Sequence, residues 1–272
     1  MRRSRAVLVC TFVVLGVLAG GGAAQGAERQ CIGAIGPETV RGDLVVPAGQ
    51  ICDLAGTQVR GNVYVREGAE LYAEQADIRG SIEGAAEAYV ELSATTVGGS
   101  LGLRSSLGTS VEESTINGNL ESTASAFVDL FMVSIGGNLK AEGADTAVFG
   151  DAVEIGGTMA ALGVDYMDLY DSTVNGDFFV RSTQSGSIFC GNALNGNTEF
   201  TDNLGLLTIG SPDQACAGND VRGSVKVEKN QGATQISDND IGGNLACFDN
   251  TPPPTGTANR VEGNREGQCS TF

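Results

Sequence analysis

Three short runs place aromatic rings beside a carboxylate: Tyr89-x-Glu91, Phe127-x-Asp129-x-Phe131 and Tyr166-x-Asp168-x-Tyr170. Each occupies the positions nine, eleven and thirteen residues after a glycine that recurs through the chain, so alternation would aim all of them to one side of a strand. Sugar rings stack on aromatic faces and donate hydroxyls to carboxylates, which makes this pattern a candidate glycan-binding face. The structural alternative is cross-strand packing of half-exposed rings, or their cover by the segment 197–222. Asp129 and Asp168 would stand two turns of a coil apart, about 9.6 Å. That is at the limit of the carboxylate separation of inverting glycosidases, so a carbohydrate-active hydrolase or lyase is the alternative to a binding module. A flat face excludes little water and raises a carboxylate pKa only weakly. The chain also contains no His, which removes the commonest general base and imidazole metal ligands. The expectation is therefore a protein that is not an enzyme and needs no cofactor.

Arg41, Arg60 and Arg79 recur at the same phase of three successive repeats and would form an outward stripe able to hold an anion or an acidic glycan. Neighbours such as Asp43 and Asp77 are expected to neutralise it. With 33 acidic against 16 basic residues the net charge is −17, which opposes a phosphate backbone and argues against nucleic acid as partner. Asp238, Asp240 and Asp249 lack the spacing of a calcium site, and no metal is expected. Thr96, Thr115 and Ser134 share a phase but lack the paired Thr-x-Thr array of an ice-binding surface.

What must position these residues is the repeat itself, aliphatic-x-Gly-[Asn/Asp/Ser/Thr]-hydrophobic. It runs from VRGDL at 40–44 through INGNL at 116–120 to VEGNR at 261–265. The central glycines are residues 42, 61, 80, 99, 118, 137, 157, 176, 196, 223, 243 and 263. Their spacing is 19 or 20 except for one step of 27, and the residue two before each is Val, Ile or Leu. Between glycines, apolar and polar residues alternate with period two, as in Val63, Val65, Leu71 and Ala73, which specifies strands. Strands wound at about 19 residues per turn give an all-β fold, a single-stranded parallel β-helix of about twelve rungs and about 58 Å length. A right-handed coil is favoured because the period is not a multiple of six. Gly followed by Asn, Asp or Ser marks a corner at which glycine is expected to supply positive φ. Asn192, Asn219, Asn239 and Asn259, each four before a repeat glycine, form an expected amide ladder, with Asn adopting the left-handed conformation that a 20-residue rung requires.

The Gly-Asn-aliphatic repeat on a short rung resembles that of the bactofilins, bacterial right-handed β-helix scaffold proteins. The tail from Asn239, NDIGGNLACFDNTPPPTGTANRVEGNREGQC, resembles the ends of secreted bacterial repeat proteins. The resemblance covers most of the repeat region and implies the fold. Bactofilins are cytosolic, lack a cysteine framework and polymerise, so filament formation does not carry over, and a monomer is expected.

Arg2, Arg3 and Arg5, the apolar run from Ala6 to Ala19 and the small residues after it read as a signal peptide over residues 1–26, cleaved after Ala24 or Gly26. The remaining residues, 27–272, form one β-helix domain. Removing the leader takes the charge from −17 to −20 and leaves six cysteines. In rung register, Cys31–Cys52, Cys190–Cys216 and Cys247–Cys269 are each one turn apart, which predicts these three disulfides, two of them closing the ends of the rod. The segment 197–222 carries a seven- or eight-residue excess with SPDQ at 211–214. The expected product is a structural or binding module, secreted or in the cell envelope, whose partner is a polysaccharide or another envelope component. No membrane span is expected in the mature chain.

Overall fold

Period-two alternation interrupted every few residues produces short strands, and the constant repeat stacks each strand on its counterpart one turn later. The computed structural model describes residues 28–211 and 216–272. The leader and residues 212–215 of the SPDQ segment therefore lie outside the described residues. Among the described residues every regular element is a strand, and the strands form three parallel sheets of 13, 11 and 12 members. The chain is thus a parallel β-solenoid of about twelve turns, and we number its rungs 1 to 12 by the repeat glycines Gly42 to Gly263.

One rung shows the plan. On rung 4 the strand Leu101–Arg104 belongs to the first sheet, Gly108–Glu112 to the second and Thr115–Ile116 to the third. Each strand pairs one turn back, as in Leu101 with Ile82, Thr109 with Val90 and Thr115 with Thr96. The core is a set of vertical stacks. The third sheet contributes Val59, Ile78, Val97 and Ile116, all fully buried. Burying such an aliphatic contributes roughly 1.5–3 kcal/mol, and a missing one would open a hole in the rod. On rungs 8 and 9, Phe178 packs edge-on against Phe189 and Phe200 at 5.6 and 6.0 Å, and those two rings meet at a tilt at 4.9 Å.

The repeat glycines have a different reason from the one expected. None of them has positive φ. A Cβ at Gly137 would lie 2.2 Å from Oδ1 of Asn119 and 2.9 Å from the carbonyl oxygen of Gly118, so the corner needs glycine because backbone stacks on backbone there. The polar residue after each glycine is the other half of the device. Except at Thr158, its side-chain oxygen accepts the backbone N–H of its counterpart one rung on, from Asn62 N to Asp43 Oδ1 (2.8 Å) through to Asn264 N to Asn244 Oδ1 (2.9 Å). Only a short side chain ending in an acceptor can do this, which explains Asn, Asp and Ser.

Positive φ falls elsewhere, on ordinary residues flanking the five-residue strands, such as Ala94 (47°) and Ser105 (50°) on either side of rung 4. The asparagine ladder exists. Asn192 donates to Asn219, Asn219 to Asn239 and Asn239 to Asn259, each amide at 2.9–3.0 Å. Its members are not left-handed, however; Asp238 and Ala258, the residues before Asn239 and Asn259, take that conformation. A second ladder, absent from the expectations, runs through Asn203, Asn230 and Asn250 to Gln268 on the opposite turn.

All three disulfides pair as the rung register requires, with Cα separations of 5.5, 5.0 and 5.3 Å. They are compatible with an oxidising environment. The long rung leaves the coil after Gly210 and is back in it by Ala217, whose carbonyl accepts from Gly191 N, and Cys216 is tied to Cys190 on the preceding turn. Among the described residues no helix is long and apolar enough to cross a membrane.

Candidate functional site

The second sheet carries the candidate face because its five-residue strands are the longest and expose three positions each. The eight aromatic and acidic residues singled out from the sequence, Tyr89, Glu91, Phe127, Asp129, Phe131, Tyr166, Asp168 and Tyr170, all lie on its outer surface. Strand register sorts them into columns. The first reads Glu70, Tyr89, Gly108, Phe127, Ala147, Tyr166 from rung 2 to rung 7. The central column reads Tyr72, Glu91, Ser110, Asp129, Phe149, Asp168, and the third Glu74, Ser93, Glu112, Phe131, Asp151, Tyr170.

Two rings were missed. Tyr72 stands between Glu70 and Glu74, the reverse of the pattern sought. Phe149 lies twelve residues after its glycine, because a turn with Gly143 at φ 136° adds one residue to rung 6 and shifts the phase. Counting from the following aliphatic, Ile155, would have found it. The omission matters, because Phe149 occupies the rung between Asp129 and Asp168. The two carboxylates are two rungs apart as expected, but an aromatic side chain stands between them.

Several of these groups satisfy one another. Tyr72 Oη donates to Glu70 and Tyr89 Oη to Glu91, each at 2.7 Å. Tyr72 and Tyr89 pack edge to face at 5.7 Å, and Tyr89 meets Phe127 at 6.2 Å across Gly108. A Cβ at Gly108 would come within 2.6 Å of the Phe127 ring, so glycine is what lets that ring lie down. Phe149 packs on Tyr170 at 5.8 Å. Cross-strand ring packing, the structural alternative, is therefore part of the face. It does not bury it: Phe131 and Phe149 remain 40% and 36% exposed. Around Ser110 the small side chains leave a shallow depression edged by Glu112, Asp129, Phe131, Phe149 and Tyr166. The long-rung excursion is pinned at Cys190, the next residue of the third column after Tyr170.

The electrostatics follow from partial burial. The Glu70 hydrogen bond, then burial, pushes the Tyr72 phenol up to about 12. Burial and then the Glu91 bond raise Tyr89 further. Burial, then the charge of Asp168, raises Tyr166 and Tyr170. Burial also lifts Asp129 above the ordinary carboxylate range. It does the same to Asp168, partly opposed by the Ile188 N–H, which donates to its Oδ1 at 2.8 Å. The raised phenols stay protonated at neutral pH, so the face offers tyrosine hydroxyls beside carboxyl groups and exposed ring edges.

Arg41, Arg60 and Arg79 form the expected exposed column on the third-sheet corner, following the paired residues Val40, Val59 and Ile78. None of the three forms a salt bridge with Asp43 or Asp77. Among the described residues no carboxylate oxygen lies within 4.0 Å of any of the three guanidinium groups. Asp43 is engaged instead in the corner, accepting from Asn62. Among the described residues no group of three or more His, Cys, Asp or Glu is placed to hold a metal ion, and Asp240 is paired with Arg260 at 2.8 Å. Thr96, Thr115 and Ser134 do stack in one outward column. No family model, curated protein or solved structure matches the chain.

Proposed function

We propose that the protein is a binding or structural module of the extracellular space or cell envelope that holds a hydroxyl-rich polysaccharide along the outer face of its second sheet. The observation that carries this reading is a two-rung period found on that face. Tyr89, Phe127 and Tyr166 occupy the first column on rungs 3, 5 and 7, and Glu91, Asp129 and Asp168 occupy the central column on the same rungs. The core and the corner glycines repeat on every rung, and the corner acceptors on all but that of Thr158, so the coil itself does not ask for a doubled period. Two rungs advance about 9.6 Å. An extended β-1,4-linked glycan presents the same ring face once per disaccharide, an advance close to that distance. A chain running parallel to the rod axis would meet one ring and one carboxylate per disaccharide, with stacking and hydroxyl–carboxylate bonds as its recognition chemistry.

Export supports the setting. The charged, apolar and small-residue order of the first 26 residues and the six paired cysteines both fit an oxidising destination. Hydrolysis by Asp129 and Asp168 is the second reading, favoured by the upward pKa shift that burial gives both groups. Against it stand Phe149 between the two and the Ile188 N–H already bound to Asp168.

The test is binding to a panel of soluble glycans by wild type, Tyr166→Ala and Asp168→Asn, with reducing ends measured in parallel. Length-dependent binding that weakens in both variants, without turnover, is expected. Release of reducing ends by wild type would favour the hydrolase, and no binding across the panel would leave the ring face a packing feature only.

A further inference from the structure

We propose that the Arg41–Arg60–Arg79 column is a second binding strip, independent of the aromatic face, and that it takes a linear acidic polysaccharide carrying one carboxylate or sulfate per sugar. The three guanidinium groups sit on consecutive rungs, a step of about 4.8 Å. Like charges at that spacing repel, and elsewhere among the described residues they run no further than a pair, as at Asp220 and Asp240. The carboxylates of the central column on the second sheet are separated by an uncharged residue on the rung between. Many cations elsewhere have a partner: Lys140 with Glu142 at 2.7 Å, Arg181 with Glu199 at 2.7 Å, Lys226 with Glu228, and Arg260 with Asp240 at 2.8 Å. No other outward column of the described residues carries charges of one sign on three consecutive rungs.

A chain of net charge −17 thus carries a row of cations without salt bridges on its first three rungs. Arg104, on the adjoining first sheet, and Arg66, just after that sheet's strand Val63–Val65, likewise have no carboxylate within 4.0 Å among the described residues, and Arg66 lies over the Tyr64 ring at 5.3 Å. An anion placed against each guanidinium would remove the repulsion and gain a forked, charge-assisted contact. The arginines recur once per rung, so the matching ligand is a polymer with one negative group per unit rather than a single ion. The companions of the arginines identify its chemistry. Thr39, Gln58 and Asp77 stand in the adjacent outward column of the same rungs, and Thr39 Oγ1 reaches Gln58 Oε1 at 3.4 Å. Hydroxyl, amide and carboxylate are partners for sugar hydroxyls. No aromatic residue stands in either column of these rungs, so there is no stacking platform for nucleic-acid bases.

The experiment measures binding of the disulfide-bonded protein to polygalacturonate and to dextran sulfate, with unmodified dextran and a single-stranded oligonucleotide as comparisons, at low and high salt. Both acidic glycans should bind, more weakly as salt rises, with no binding of dextran. Arg60→Gln should lose roughly ten-fold in affinity, and the Arg41, Arg60 and Arg79 triple Gln variant should lose binding altogether. Arg222→Gln, an isolated arginine at the same phase of rung 10, should change nothing. The three side chains are exposed, so the variants should melt as wild type does. Unchanged binding by the triple variant, equal binding of dextran, an oligonucleotide that binds as tightly, or no binding of either acidic glycan would each overturn the proposal. Tyr166→Ala leaves this strip untouched, so its failure and that of the aromatic face are read separately.

Discussion

Rungs 2 to 7 and rungs 8 to 12 are made from the same repeat and are specialised on opposite sides of the chain. In the first group the column that ends in the asparagine ladder is filled by Ala76, Thr95, Ser114, Val133, Val153 and Ser172; in the second it is Asn192, Asn219, Asn239 and Asn259. The outer face reverses the contrast. Rings and carboxylates crowd the early rungs, while the central column continues as Ile188, Thr208 and Gln235. Two of the three disulfides and the phenylalanine core also belong to the later rungs. Specific interior chemistry is concentrated where the rod carries an insertion and an end, and the surface is elaborated where the interior is plain. A coil of uniform aliphatic stacks leaves its outward residues free of structural duty, and that is where a ligand face can be written.

The largest effect should come from the same column substituted in both regions. Asn219 accepts from Asn192 and donates to Asn239 and to the Phe189 carbonyl, all buried. Asn219→Val strands these groups at once and should cost about 3–5 kcal/mol in urea unfolding under oxidising conditions. Ser114→Val removes one acceptor for Thr95 N and one bond to the Glu112 carbonyl in a column that already holds Val133 and Val153, and should cost about 1–2 kcal/mol. Equal losses would show that the two regions are not differently built. Next, replacing Cys247 and Cys269 together by Ser opens a loop of 22-residue separation and should cost about 3 kcal/mol. Hydrogen exchange should place that loss in the last rungs and leave rungs 2 to 7 protected; uniform loss of protection would mean the rod unfolds as one unit. Third is a feature the regions share. Gly137→Ala and Gly243→Ala put a Cβ 2.2 and 2.5 Å from the corner acceptors Asn119 and Ser224, and each should cost about 2 kcal/mol. A large difference between them would break the view of the corner as a common frame.

The frame was legible because it is periodic. A residue type at fixed phase, such as the aliphatic two before each glycine, has one physical cause repeated twelve times, and the disulfides follow once the register is known. What escaped was aperiodic or shared its appearance with another cause. Glycine for close approach and glycine for positive φ look alike in a sequence. Left-handed Gln75, Ala94 and Met132 carry no compositional mark, since the neighbouring rungs impose their conformation. Phe149 was lost to one inserted residue. The second ladder was readable, because Asn203, Asn230 and Asn250 each follow a repeat glycine by seven.

The smallest predicted effect separates the regions by sign. On the early face, burial raises Asp168, so its ionised form is disfavoured in the folded state. That penalty is absent below the ordinary carboxylate pKa, where folded and unfolded chains are both protonated, and it grows as pH rises through the folded value. Asp168→Asn keeps an oxygen for the Ile188 N–H and removes the charge, so the variant should be slightly more stable than wild type at pH 7, with the advantage fading on acidification. On the later rungs the hydrogen bond from Lys226 holds Glu228 below its usual range. Its contribution is present above the unfolded pKa and is lost as pH falls through the folded one. Glu228→Gln should therefore be slightly less stable than wild type at pH 7 and equal to it in acid. Melting temperatures of the two variants against wild type, from pH 7 to about pH 3, should converge on zero difference from opposite sides. If both differences carry the same sign at pH 7, the early carboxylates are held by partners as the later ones are, and the electrostatic contrast between the two regions falls.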